Sequence, residues 1–160
     1  MKKRFTEEQI IRVIKEKVSV YKSEVDDDCG YRCVYCDITI TEHGGEGFHL
    51  DHLKPQSLFA ELANNPTNLV SSCPKCNLLK SDHWPMNYPS VSFLGPFETN
   101  RSSRFNIEND GKISASNDDQ AEYQIRLLLL NRPARIQVRR SRSRLQLCRD
   151  LISDLRSLED

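Results

Sequence analysis

The chain has 160 residues, 38% of them hydrophobic and 29% charged, with no net charge at neutral pH. That suffices for one domain of ordinary size, or a small core with helical extensions, and no apolar run approaches the ~20 residues of a membrane span. The neutral total conceals segregation. "SEVDDDC" near residue 25 is acidic, whereas Asn131 to Arg149 holds seven arginines and no acid, a local basic face of the kind a phosphate backbone would feel. The N-terminus is basic but lacks an apolar signal core, which points to a cytoplasmic protein.

Along the chain, Thr6 followed by Glu7, Glu8 and Gln9 reads as a capping box, and the apolar spacing from Ile10 to Val18 predicts a helix over 7–22. The acidic "EVDDD" is expected as a loop, and "CGYRCVYC" as a metal knuckle. "TEHGGEG" is expected as a turn that leaves His43 in solvent. "FHLDHL" predicts a short strand ended by Pro55. A second strand is expected around 68–71. "CPKCNLLKSD" then opens at another knuckle and runs into a short helix, with Pro74 in its first turn. "HWPMNYPSVSFLGPFE", with three prolines, is expected to cross the surface irregularly.

"FNIENDGKISAS" alternates about Asp110-Gly111 and predicts a hairpin. Residues 119–131 predict a helix whose apolar face is Ile125, Leu128 and Leu129, interrupted by Pro133. A last helix over about 134–158 carries Leu147, Leu151, Leu155 and Leu158 on one stripe, and Cys148 on its apolar side is expected to pack as a small hydrophobe. The chain divides into 1–28 (helix and acidic loop), 29–90 (a knuckle-framed core) and 91–160 (hairpin and arginine-rich helices).

Of the six cysteines, Cys33 with Cys36 and Cys73 with Cys76 form two Cys-x-x-Cys turns separated by 36 residues. Each turn aims two thiolates at one point, and two turns close a tetrahedral shell of the kind structural Zn²⁺ takes. Cys29 is a competing ligand. Between the turns lies "FHLDHLKPQS", in which His49, Asp51 and His52 crowd one short strand. A neutral imidazole suits His52 as a base near pH 7, and carboxylate and amide oxygens suit a hard ion such as Mg²⁺ or Mn²⁺.

Asp51-His52, Pro55-Gln56-Ser57, Asn68-Leu69 and Cys73-Pro74-Lys75-Cys76-Asn77-Leu78-Leu79-Lys80, in that order, resemble the HNH endonuclease family. The resemblance implies an α+β protein with a zinc-stabilised ββα-metal core, N- and C-terminal helices and a small β-hairpin. It implies metal-dependent hydrolysis of phosphodiester bonds in nucleic acid, DNA before RNA, leaving 5′-phosphate and 3′-hydroxyl ends. His52 would be the general base, Asn68 would shape the loop that orients it, and Asp51 and Asn77 would hold the catalytic Mg²⁺ or Mn²⁺. Family members that use a further histidine ligand place it where Ser81 stands here, so the protein ligands number two; His49, on Asp51's side of the strand, is a candidate neighbour of the metal or substrate.

Lys75 and Lys80 flank Asn77 as candidate phosphate contacts. Arg135, Arg139, Arg142 and Arg149 fall on one helical stripe and Arg140 with Arg144 on a second, expected to grip a nucleic-acid backbone while the leucines pack on the body. The tail is similar to that of HNH nucleases from bacterial anti-phage systems, which favours a prokaryotic or phage origin and allows a partner protein, often an ATPase, that controls the nuclease. The rival reading is a non-catalytic zinc-dependent module that binds nucleic acid or protein.

Overall fold

A computed structural model describes residues 21–85, 93 and 102–158. Nearly all of the helix expected over 7–22, and most of the proline-rich excursion, lie outside the described residues. The acidic stretch is a helix rather than a loop: α1 spans Lys22–Asp28. Its reason is long-range. Val25 is fully buried against Leu69 and Tyr21, and the Asp26 carboxylate accepts a hydrogen bond from the Ser71 hydroxyl, 45 residues on. Local charge gave no hint of either partner.

Two strands follow, β1 at His49–His52 and β2 at Leu69–Ser72, paired antiparallel with His49 opposite Ser72 and His52 opposite Leu69. All four residues of β2 are buried. The first knuckle is pinned to this strand, since the Val34 N–H donates to the Ser71 carbonyl at 3.0 Å. Helix α2, Pro74–Lys80, starts at the second knuckle and stops at Ser81, whose φ of +46° leaves the helical region.

The hairpin forms as expected: β3 is Phe105–Ile107 and β4 is Ile113–Ala115. Helix α3, Asp119–Leu127, is capped by the Asp118 side chain accepting from the Ala121 N–H. It is shorter than expected. Leu129 adopts φ +47° and is 52% exposed, so the buried leucines are Leu128 and Leu130, on either side of the break. Helix α4 runs from Pro133 to Ser157.

One hydrophobic core joins the knuckles to the C-terminal elements. Tyr35, Phe48, Val70, Phe93, Leu128 and Leu130 are all essentially buried in it. The fully buried Gln124 of α3 donates to the Tyr35 carbonyl at 3.2 Å. The hairpin is tied in the same way: the Asn131 side chain both accepts from the N–H and donates to the carbonyl of Ile113, each at 2.8 Å.

Gly111 sits at the hairpin tip with φ +80°, where α4 passes close. A Cβ there would lie 2.5 Å from Arg140 Cγ and 2.7 Å from the Ile136 carbonyl. Gly111→Ala is therefore expected to cost about 1–3 kcal/mol, through left-handed strain and a backbone clash together. Urea unfolding of the two proteins measures it, and a shift within error would show that the tip does not press on α4.

Candidate metal centre and active site

The two knuckles bring Cys33, Cys36, Cys73 and Cys76 to one place, with all four sulfurs within 4.8 Å of one another. Cys36 Sγ and Cys73 Sγ are 3.8 Å apart. Zn–S bonds of ~2.3 Å at tetrahedral angles require sulfurs ~3.8 Å apart, so the donors fit a zinc ion in both chemistry and size. Among the described residues this is the one cluster of His, Cys, Asp and Glu side chains able to hold a metal. Cys29 stands outside it, half-buried, its sulfur accepting from the Ser71 N–H at 3.4 Å. Cys148 is exposed rather than packed.

Burial pushes the Cys33 thiol well above its ordinary pKa, so four thiolates here require compensating positive charge. Besides an ion, the start of α4 supplies it. Arg132 Nη2 lies 3.3 Å from Cys76 Sγ and 3.7 Å from Cys36 Sγ, and Arg135 Nη2 lies 3.9 Å from Cys73 Sγ.

The sequence suggested cationic stripes facing outward with leucines facing the body; in the structure Arg135, Arg139 and Arg142 turn inward while Arg140, Arg144, Arg149 and the distal leucines are exposed. Arg135 is 6% exposed. Arg139 is buried too, and its guanidinium donates to the Gly111 and Leu130 carbonyls at 2.6 and 2.8 Å. Arg142 clamps Asp37 and Glu42, donating to the Asp37 carboxylate and carbonyl at 2.6 Å each and to Glu42 Oε1 at 2.7 Å. That clamp holds the Glu42 carboxyl down at about 2. Thiolates and backbone carbonyls in a dry core need donors, and arginine meets that need while keeping its charge.

The strand pleat puts His49 and Asp51 on one face of β1 and sends His52 to the other. Asp51 is buried. Its Oδ2 accepts from the Tyr35 hydroxyl at 2.7 Å, and its Oδ1 lies 3.5 Å from Lys80 Nζ. Burial raises the Asp51 carboxyl pKa, against the opposing pull of the Lys80 ammonium and the Tyr35 hydrogen bond. Burial likewise lowers Lys80, with Asp51 opposing. Tyr35 is held well above the usual phenol range by burial and then by the Asp51 charge, so it stays a donor.

Lys80 is fully buried, and Nζ also donates to the His52 carbonyl at 2.7 Å. It faces inward to Asp51, not outward to a phosphate. Lys75, by contrast, is exposed. Asn77 Nδ2 donates to His49 Nδ1 at 3.1 Å, which places α2 over the β1 face that carries Asp51 and leaves the Asn77 amide oxygen for another partner. No hydrogen bond joins Asp51 to Asn77 among the described residues.

His52 Nε2 lies 2.8 Å from the Ala63 carbonyl oxygen. A carbonyl only accepts, so Nε2 carries a proton, and in the neutral ring the lone pair is on Nδ1. The loop that offers this carbonyl is held by Asn68. Its Oδ1 accepts from the Lys54 N–H at 2.8 Å, and its Nδ2 donates to the Lys54 and Leu62 carbonyls at 3.0 and 3.4 Å. Leu62 immediately precedes Ala63, so Asn68 fixes the segment that fixes the imidazole.

His43, expected in solvent, has its ring 5.7 Å from that of Phe48 and its Nε2 buried. His83 is exposed. No sequence pattern assigned a role to Tyr35, Arg132 or Ala63. Tyr35 lies inside the first Cys-x-x-Cys turn, a position only the fold connects to Asp51. Lys54, beside the loop, stands over the rings of Phe59 and Trp84 at 5.3 and 5.8 Å.

The family model of HNH endonucleases matches residues 33–83. That span begins at the first knuckle cysteine, Cys33, and contains Tyr35, Asp51, His52, Asn68, Asn77 and Lys80. A search of curated proteins finds no match to the chain. No helix among the described residues is long and apolar enough to cross a membrane.

Removing the guanidinium from Arg132 should loosen the zinc without removing a ligand. Arg132→Ala is expected to weaken zinc binding roughly 10- to 100-fold, as loss of a partner outside the ligand shell does. Competition against a chromogenic chelator measures it, and unchanged affinity would show that the guanidinium does not stabilise the thiolates.

Proposed function

We propose that the chain is a metal-dependent endonuclease that hydrolyses phosphodiester bonds in nucleic acid, DNA before RNA, leaving 5′-phosphate and 3′-hydroxyl ends. The observation that carries this reading is the His52 imidazole, held by Nε2–H on the Ala63 carbonyl with Nδ1 free. A ring fixed in that tautomer is ready to take a proton from water through Nδ1. Asn68 acts through the loop, keeping the Ala63 carbonyl in place.

The Asp51 carboxylate and the Asn77 amide oxygen are hard donors suited to Mg²⁺ or Mn²⁺. Such an ion would supply charge neutralisation at the phosphoryl and leaving oxygens. His49 holds the Asn77 amide nitrogen, and Tyr35 and Lys80 hold Asp51. Lys80 already balances part of the Asp51 charge, so weak metal binding without nucleic acid accords with the arrangement.

Phosphate contacts fall to exposed cations, Lys75 near Asn77 and Arg140 and Arg144 on α4, since Arg135, Arg139 and Arg142 are engaged within the protein. A four-thiolate zinc site suits a reducing compartment, the cytoplasm. The anti-phage setting and a regulatory ATPase rest on the resemblance of the tail alone.

A plasmid-nicking assay with Mg²⁺ or Mn²⁺, set against an EDTA control, tests the function. His52→Ala is expected to lower the rate by about 10²- to 10⁴-fold, with zinc content and melting temperature unchanged. Cutting by the variant at the wild-type rate would remove His52 from the chemistry. Failure of the wild type to cut in any metal would leave a zinc-dependent binding module.

A further inference from the structure

Every residue of α4 from Ser143 to Ser157, and Leu158 after it, is exposed, yet the segment is not polar all round. Cys148, Leu151, Leu155 and Leu158 recur at intervals of three, four and three residues, the a/d spacing of a two-stranded seam, with Leu147 and Ile152 beside it. The four leucines and one isoleucine in that set are 50–82% exposed. An isolated helix of this length is marginal in water, and its stability comes from packing an apolar face. The described residues of the body do not provide that packing.

The charges beside the seam are sorted by side. At 100° per residue, Arg149 and Arg156 line one edge of the apolar face, and Asp150 and Asp154 line the other. None of the four forms an ion pair among the described residues; Asp150 accepts only a hydrogen bond from Gln146, at 2.7 Å. Two copies related by a twofold axis parallel to the helix place the basic edge of each beside the acidic edge of its partner. An antiparallel pair sets like charge against like on both edges. Arg144, at the mouth of the seam, is free to splay its long side chain into water in the parallel arrangement.

We infer that the C-terminal half of α4 is a dimerisation surface whose occupant is the same helix of a second copy, packed in parallel. The arrangement is isologous and closes after two chains. Cys148 then faces Cys148 of the partner subunit across the seam, whereas in an antiparallel pair it faces the far end of the partner helix, ~15 Å away along the axis.

Light scattering on the full chain at micromolar concentration is expected to give twice the 18.5 kDa of one copy. Leu151→Asp, an exposed substitution, is expected to give a monomer with unchanged zinc content. A short bismaleimide that spans less than ~10 Å is expected to join two wild-type chains and not two Cys148→Ser chains. A monomeric wild type overturns the proposal, because the stripe is then covered by this chain's own residues or by a different protein. A dimer that survives Leu151→Asp, or in which the reagent does not join Cys148, overturns it as well.

Discussion

Four buried thiolates within reach of one ion are the constraint on which the rest of the structure depends. They join two chain segments 36 residues apart, so ion binding there contributes directly to folding free energy. Both knuckles are continuous with the elements of the candidate site. The first is pinned to β2 by the Val34 N–H and reaches Asp51 through the Tyr35 hydroxyl. The second starts α2, which carries Asn77 and ends at Lys80. The four-thiolate site therefore stands one covalent turn from the partners of the Asp51 carboxylate.

The same cluster dictates the use of the arginine-rich helix. Thiolates in an apolar surround need cations and donors, and the first turns of α4 provide Arg132 and Arg135. Arg139 and Arg142 continue the attachment through carbonyls of the hairpin and carboxylates of the first knuckle. Once those guanidiniums face inward, helical periodicity turns the distal leucines outward. A docked basic half and an exposed apolar half are two consequences of one orientation.

What could be read from the sequence was what covalent spacing determines. Cys-x-x-Cys turns, the Asp110-Gly111 hairpin, the proline stops and the two site strands depend on neighbours a few residues away, and each appears close to where the pattern put it. The misreadings share a cause. Residues 24–28 are helical because Val25 and Asp26 meet partners on β2. Lys80 and Arg139 turn inward because buried acceptors wait for them. Leu129 yields its core place to Leu130 where the chain breaks to start α4. Charge on a helix reads as solvated until the buried anion that attracts it is known. The Ala63 carbonyl beside His52 Nε2 carries no side-chain signature at all, so no pattern of residue types could point to it.

The central claim is that zinc ligation and the arrangement of the site are one folding event. Zinc content and near-ultraviolet circular dichroism of a Cys73→Ala protein test it most directly, with the wild type stripped by a chelator as the companion sample. The account predicts that both lose zinc and, together with it, the ordered environment of the aromatic side chains around Tyr35. A Cys73→Ala protein that holds no zinc yet keeps the wild-type aromatic spectrum would contradict it.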